Sequence, residues 1–165
     1  MRQLSFAAIA LFCGALAGSA CEEGLEPVPF QGVSGRISFL GRPPANTEWV
    51  RLVVYREIPA AEAGFFPPNL VLFSDPLPLD SAADFVLPLA PGTYRWLPAV
   101  WKEEGLPLSA ESLRVLGWYT AGEGFDAPAA LTVSAEVESA GIEIVADFRT
   151  LLTVDEVLAL LGGSR

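Results

Sequence analysis

The residues able to do chemistry in this chain are unevenly supplied: twenty carboxylates, ten basic groups and no histidine. Without histidine the usual general base, proton shuttle and commonest metal ligand are missing together, so Ser-His-Asp and Cys-His hydrolysis are excluded. A pair of carboxylates flanking a glycosidic bond can still cleave it, and Glu103, Glu104, Glu123 and Asp126 are the candidates. All four fall in segments that read as loops of an acidic protein, where solvated surface charge is the expected explanation. The expectation is a non-enzyme with no catalytic residue. Gly122-Glu123-Gly124 opens no helix and its Glu repels phosphate, so it is not a phosphate cradle.

Aromatic side chains offer binding chemistry instead. Trp96, Trp101 and Trp118, with Trp49, Tyr55 and Tyr119 as further aromatic surface, are able to stack on sugar rings or dock a partner if they share an exposed face. The competing reading makes them core residues of a small domain, because Trp is highly buried on average. Phe65-Phe66, ahead of Pro67-Pro68, is a second possible binding site: exposed it marks a contact, folded back it caps the core. The net charge of −10, with Lys102 the only lysine, argues against a phosphate backbone as partner, so no nucleic acid is expected.

The two cysteines, Cys13 and Cys21, both precede the first strand-like run. A positive end at Arg2, an apolar stretch from Phe6 to Leu16 and small residues before a cut have the order of a signal peptide. The stretch is shorter than the roughly 20 apolar residues that a permanent span needs. Leu16-Ala17-Gly18-Ser19-Ala20-Cys21 resembles a bacterial lipobox, which implies that residues 1–20 are removed and that Cys21 becomes an acylated first residue. The resemblance further implies attachment to a membrane through acyl chains on Cys21, in a bacterial cell envelope. The Glu22-Glu23 that follows, with no Asp at the second mature position, resembles signals that let lipoproteins reach an outer membrane. Cleavage after Ala20 with Cys21 as a plain residue, or a short uncleaved anchor, are the other readings. Residues 21–31 carry Pro, Gly and charge without periodicity and read as a tether.

Those groups are positioned by a domain expected over 32–150. Its short β-rich runs, separated by Pro and Gly clusters, predict a single antiparallel β-sandwich of about seven strands. Val33, Ile37 and Phe39 alternate with Ser34, Arg36 and Ser38; Val50, Leu52 and Val54 alternate with Trp49, Arg51 and Tyr55. Leu70 to Phe73 reads as a short edge strand between prolines. Phe85, Leu87 and Leu89 lie on one face, and Ala90-Pro91-Gly92 predicts a hairpin into Thr93–Lys102, with Pro98 forcing a bulge or an edge. Arg114–Thr120, Ala130–Ser134 and Gly141–Phe148 complete the set. Over 151–165, Thr153 with Glu156 forms a capping box, and Val154, Val157, Leu158 and Leu161 make one helical stripe.

Taken in order, Gly35-Arg36-Ile37-Ser38-Phe39, Asp84-Phe85-Val86-Leu87, Pro91-Gly92-Thr93-Tyr94 and Gly141-Ile142-Glu143-Ile144 resemble the transthyretin-like, carboxypeptidase-regulatory-like β-sandwich domains of bacterial envelope lipoproteins. The resemblance covers about 33–148. It implies an accessory, adhesive or structural role without activity, with an envelope protein or a glycan as possible partner. Some such domains carry an acidic loop after the central strand; here Lys102 to Glu111 lacks the alternating oxygens of a calcium cage, so no metal and no other cofactor is expected.

Overall fold

The computed structural model describes residues 31–120, 127–135 and 139–162. Within them the alternating runs become nine strands: β1 (Gly32–Leu40), β2 (Thr47–Tyr55), β3 (Leu70–Phe73), β4 (Ala82–Pro88), β5 (Gly92–Tyr94), β6 (Pro98–Glu103), β7 (Leu113–Trp118), β8 (Leu131–Val133) and β9 (Ser139–Asp147). One helix follows, α1 (Val154–Gly162). A three-stranded sheet in the order β4-β1-β9 faces a four-stranded sheet in the order β3-β2-β6-β7, and β5 pairs with β8 in a short ribbon. The protein is an all-β sandwich with a short C-terminal helix. The expected signal peptide, Cys21 and all but the last residue of the expected tether fall in residues 1–30, outside the described residues.

Three expectations are corrected. Nine strands replace about seven, and the first sheet is mixed, because β1 runs antiparallel to β4 but parallel to β9. A parallel pair needs a crossover, and here nearly the whole domain serves as that crossover between the first strand and the last. The predicted Pro-Gly hairpin also does not form: β4 pairs with β1, whereas β5 pairs with β8. Ala90-Pro91-Gly92 turns the chain, but it turns it out of one sheet and into another. Tyr94 holds the corner by donating its hydroxyl to the Ala90 carbonyl at 2.8 Å. Pro98 opens β6, where the missing N–H is tolerated, and the ladder to β7 shifts register just after it.

Apolar side chains sort into two cores because the four-stranded sheet is buried on both faces. Between the sheets, Val33, Ile37, Phe85, Leu87, Ile142 and Ile144 meet Val50, Leu52, Val54 and Trp101. On the outer side, Val53, Tyr55, Val100, Val115 and Trp118 meet Val154, Val157 and Leu161 of α1, with Phe65 from a single 3-10 turn at Glu62–Phe65. Each such aliphatic side chain contributes about 1.5–3 kcal/mol when fully buried. No helix among the described residues is long and apolar enough to cross a membrane.

Two glycines permit the closest backbone approaches. A Cβ on Gly35 would lie 2.0 Å from the Ile142 carbonyl oxygen, beside the register shift between β1 and β9. A Cβ on Gly117 would lie 2.1 Å from the Val145 carbonyl oxygen, where β7 meets β9. In both places the nearest obstacle is a backbone carbonyl, which has no rotamer to change.

Helix α1 starts as its residues predict. Thr153 N–H donates to the Glu156 carboxylate at 2.7 Å, the Thr153 hydroxyl donates to the same oxygen at 2.9 Å, and Glu156 N–H returns to Thr153 Oγ1 at 3.3 Å. These bonds hold the Glu156 carboxyl below its ordinary value, the backbone N–H of Thr153 being the largest cause.

Two outcomes are expected. Gly117→Ala destabilises the domain by about 1–3 kcal/mol through overpacking, measured as a lower urea midpoint. Because the folded carboxyl of Glu156 is depressed below 4.5, its contribution is present above the unfolded pKa and is lost as pH falls through the folded one. The stability gap between wild type and Glu156→Gln therefore closes on acidification below pH 4.5, read from urea midpoints across a pH series.

Candidate functional site

Trp96, Trp101 and Trp118 do not share an exposed face. Trp96, Trp101 and Trp118 are 1%, 4% and 3% exposed, and they divide between the two cores. Trp101 points between the sheets and donates its indole N–H to Thr47 Oγ1 at 2.8 Å. Trp96 and Trp118 occupy the outer core at 6.1 Å between centroids, and Trp96 also packs on Tyr55 at 5.0 Å and edge-on to Phe65 at 5.6 Å. Phe65 is folded back and buried. Burial pushes the Tyr55 hydroxyl far above its ordinary value; that hydroxyl donates to the Phe65 carbonyl at 3.2 Å. This cluster is structural, pinning the 3-10 turn to β2.

Phe66 differs from its neighbour in remaining partly exposed. Together with Leu70, Phe73, Leu108, Leu113 and Val154 it lines an apolar slot on the outer face of the four-stranded sheet, of about 40 Å³. Small-molecule sites usually measure about 300–1,000 Å³. The slot fits a protruding apolar side chain and not a preformed small ligand.

Phe73 and Leu108 also border a shallower depression with Glu48, Trp49, Arg51, Lys102 and Leu106. Here β2 presents Trp49 and Arg51, two residues apart and hence on one face. The Arg51 guanidinium carbon sits 5.2 Å from the Trp49 ring centroid and 5.3 Å from that of Phe73, and Nη1 donates to the Ser74 carbonyl at 2.8 Å. Arg51 Nε is buried without a partner among the described residues. Leu106 and Leu108 beside it are exposed.

Lys102 is the residue whose role sequence reasoning missed. Its ammonium is enclosed at the end of β6 and donates to the Glu48 carboxylate, to the Glu103 carbonyl at 2.9 Å and to the Leu106 carbonyl at 2.6 Å. Three donors meet three acceptors, so the buried charge is fully satisfied. The ammonium ties the turn after β6 to β2 and sets the position of Leu106. That this was the only lysine in the chain was the available signal.

Of the four carboxylates weighed for glycosidic chemistry, only the sequence neighbours Glu103 and Glu104 fall among the described residues. Glu103 accepts from Asn46 Nδ2 at 2.8 Å, Glu104 is exposed, and Glu123 and Asp126 lie outside the described residues. Asp147 is held below its ordinary value by Arg149, whose Nη2 donates to it at 2.7 Å. No group of three or more metal-ligating side chains occurs among the described residues.

Removing the Lys102 ammonium is expected to leave two carbonyls without their donor. Lys102→Ala should destabilise the domain by about 1–3 kcal/mol and speed amide exchange in the turn at residues 104–106. Lys102→Met should recover packing of the stem but not protection of the turn.

Comparison with known proteins found no matching family model, no matching curated protein and no matching solved structure.

Proposed function

We propose that this chain is a lipid-anchored, non-catalytic protein of a bacterial cell envelope, held to the membrane through acyl chains on Cys21 and acting by binding or scaffolding through its β-sandwich. One observation carries the reading. Both cysteines precede the domain that begins at Gly32, and the described residues contain no cysteine, so they offer Cys21 no disulfide partner. A cysteine directly after Leu16-Ala17-Gly18-Ser19-Ala20 is then best used as an attachment point. Acyl anchoring contributes about 0.8 kcal/mol per buried methylene, and stable attachment takes more than one chain or a second signal.

The transthyretin-like reading of the sandwich belongs to the same proposal and rests on the order of the motifs beginning at Gly35, Asp84, Pro91 and Gly141. A binding role is supported by the partly exposed strip of Trp49, Arg51 and Phe73 beside exposed Leu106 and Leu108. Partner contacts favour aromatic residues and Arg at their centres. Trp49 is the one tryptophan that a glycan ligand could stack on, since Trp96, Trp101 and Trp118 are enclosed.

The test is metabolic labelling with an alkyne fatty acid in a bacterial host, comparing wild type with Cys21→Ser. Wild type is expected to be labelled and to sediment with membranes, and the variant to be unlabelled and released. Persistent labelling, or unchanged membrane retention of Cys21→Ser, overturns the anchor.

A further inference from the structure

Strand β4 forms one edge of its sheet, and its hydrogen-bonding phase follows from a single contact. Phe39 N–H donates to the Ser81 carbonyl at 2.9 Å in the same register that pairs Ile37 with Ala83 and Gly35 with Phe85. In an antiparallel ladder, bonded pairs alternate with non-bonded ones. The odd residues of β4 therefore bond to β1, and the N–H and C=O of Ala82, Asp84 and Val86 point away from it, toward the free edge. Val86 is 60% exposed. Among the described residues, this seven-residue strand thus offers an unpaired ladder.

The other edges nearby are managed differently. On the four-stranded sheet, Leu152 covers β7 by exchanging two backbone bonds with Val115. Strand β3 is four residues long, bounded by Pro68 and Pro76, and prolines blunt an edge. Between β4 and residues 72–78 the two sheets splay to leave a groove of about 330 Å³. Leu72, Leu77, Phe85 and Leu87 supply its apolar lining; Asp75 stands on one wall and Asp84 on the other, with no cation among the lining residues.

We propose that this groove binds an extended segment of a partner polypeptide, which adds a strand to β4 and alternates apolar with basic residues. An incoming strand pairs its backbone with Ala82, Asp84 and Val86. Residues opposite Asp84 and Val86 then lie on the solvent face, where a Lys or Arg meets the Asp84 carboxylate. The alternate residues point inward, over Leu72 and Leu77. The Arg36 contact with Asp84, 2.9 Å long between two exposed side chains, contributes little and leaves the carboxylate able to take a second cation. A second copy of this chain is a poorer occupant, because pairing β4 with itself brings two acidic edges together, and like charges across strands destabilise. The proposal rests on the binding part of the reading above and not on the anchor, so acyl labelling and the experiment below fail independently.

The test uses the purified full chain and a synthetic Lys-Val-Lys-Val-Lys-Val peptide, N-methylated on alternate residues so that only one edge can pair, with a Glu-Val counterpart as control. Titration should show binding of the Lys-Val peptide that weakens with added salt, with amide shifts centred on Ala82, Asp84 and Val86. Val86→Pro removes one outward N–H without touching the β1 ladder and should weaken binding at least tenfold with an unchanged circular dichroism spectrum. Asp84→Lys, which does not depend on proline being accommodated, should reverse the preference toward the Glu-Val peptide. Failure to bind, equal binding of both peptides by wild type, or binding undiminished in a folded Val86→Pro overturns the proposal. Self-association that Val86→Pro abolishes overturns it too, by making a second copy the occupant.

Discussion

Strands β2 and β6 run through the middle of the four-stranded sheet with apolar side chains on both faces, and a strand in that position tolerates no slip in register. Moving β2 by one residue would exchange Val50, Leu52 and Val54 for Val53 and Tyr55, delivering each set to the wrong core. A singly buried strand needs only one good face; these need two. The rest of the fold follows from that demand. The second sheet covers one side, while α1 and the Glu62–Phe65 turn cover the other, and the bridge between Val115 and Leu152 leads the chain from β7's edge into the helix. With no cysteine after Cys21, this two-sided burial is what holds the domain together.

The same demand explains where the aromatic residues went. A domain that buries both faces of a sheet needs large side chains to fill the outer layer beneath one short helix, and Trp96, Trp118, Tyr55 and Phe65 fill it. Aromatic area that a sequence offers for recognition is spent internally. What remains for contact lies where coverage stops: the strip beyond α1 around Trp49 and Phe73, and the edge of β4.

Much of this was legible in the residues. The period-2 runs around Ile37, Phe85 and Ile144 became inward faces, Leu70–Phe73 became an edge strand, and Thr153 with Glu156 opened the helix whose stripe packs inward. Strand pairing was not legible, for a physical reason. Turn chemistry at Pro91-Gly92 dictates a change of direction within a few residues, but the partner of the next strand is decided by contacts far along the chain, as Thr93 with Thr132 illustrates. The parallel pairing of β1 with β9 is the extreme case. Periodicity likewise marks one face of a strand as buried and says nothing about the other, so the double burial of β2 read as amphipathic. The anchor proposed at Cys21 is the reverse case: it rests on sequence alone, outside the described residues.

Enclosure of Lys102 has a practical side. Amine-directed reagents, such as activated esters used to biotinylate cell surfaces, modify an exposed amine. The only lysine of this chain holds its ammonium between a carboxylate and two carbonyls, with its side chain 6% exposed. Surface surveys and crosslinking schemes that rely on lysine would therefore pass over this domain even where it is abundant. Carboxylate-directed coupling, with twenty acidic residues in the chain, would find it.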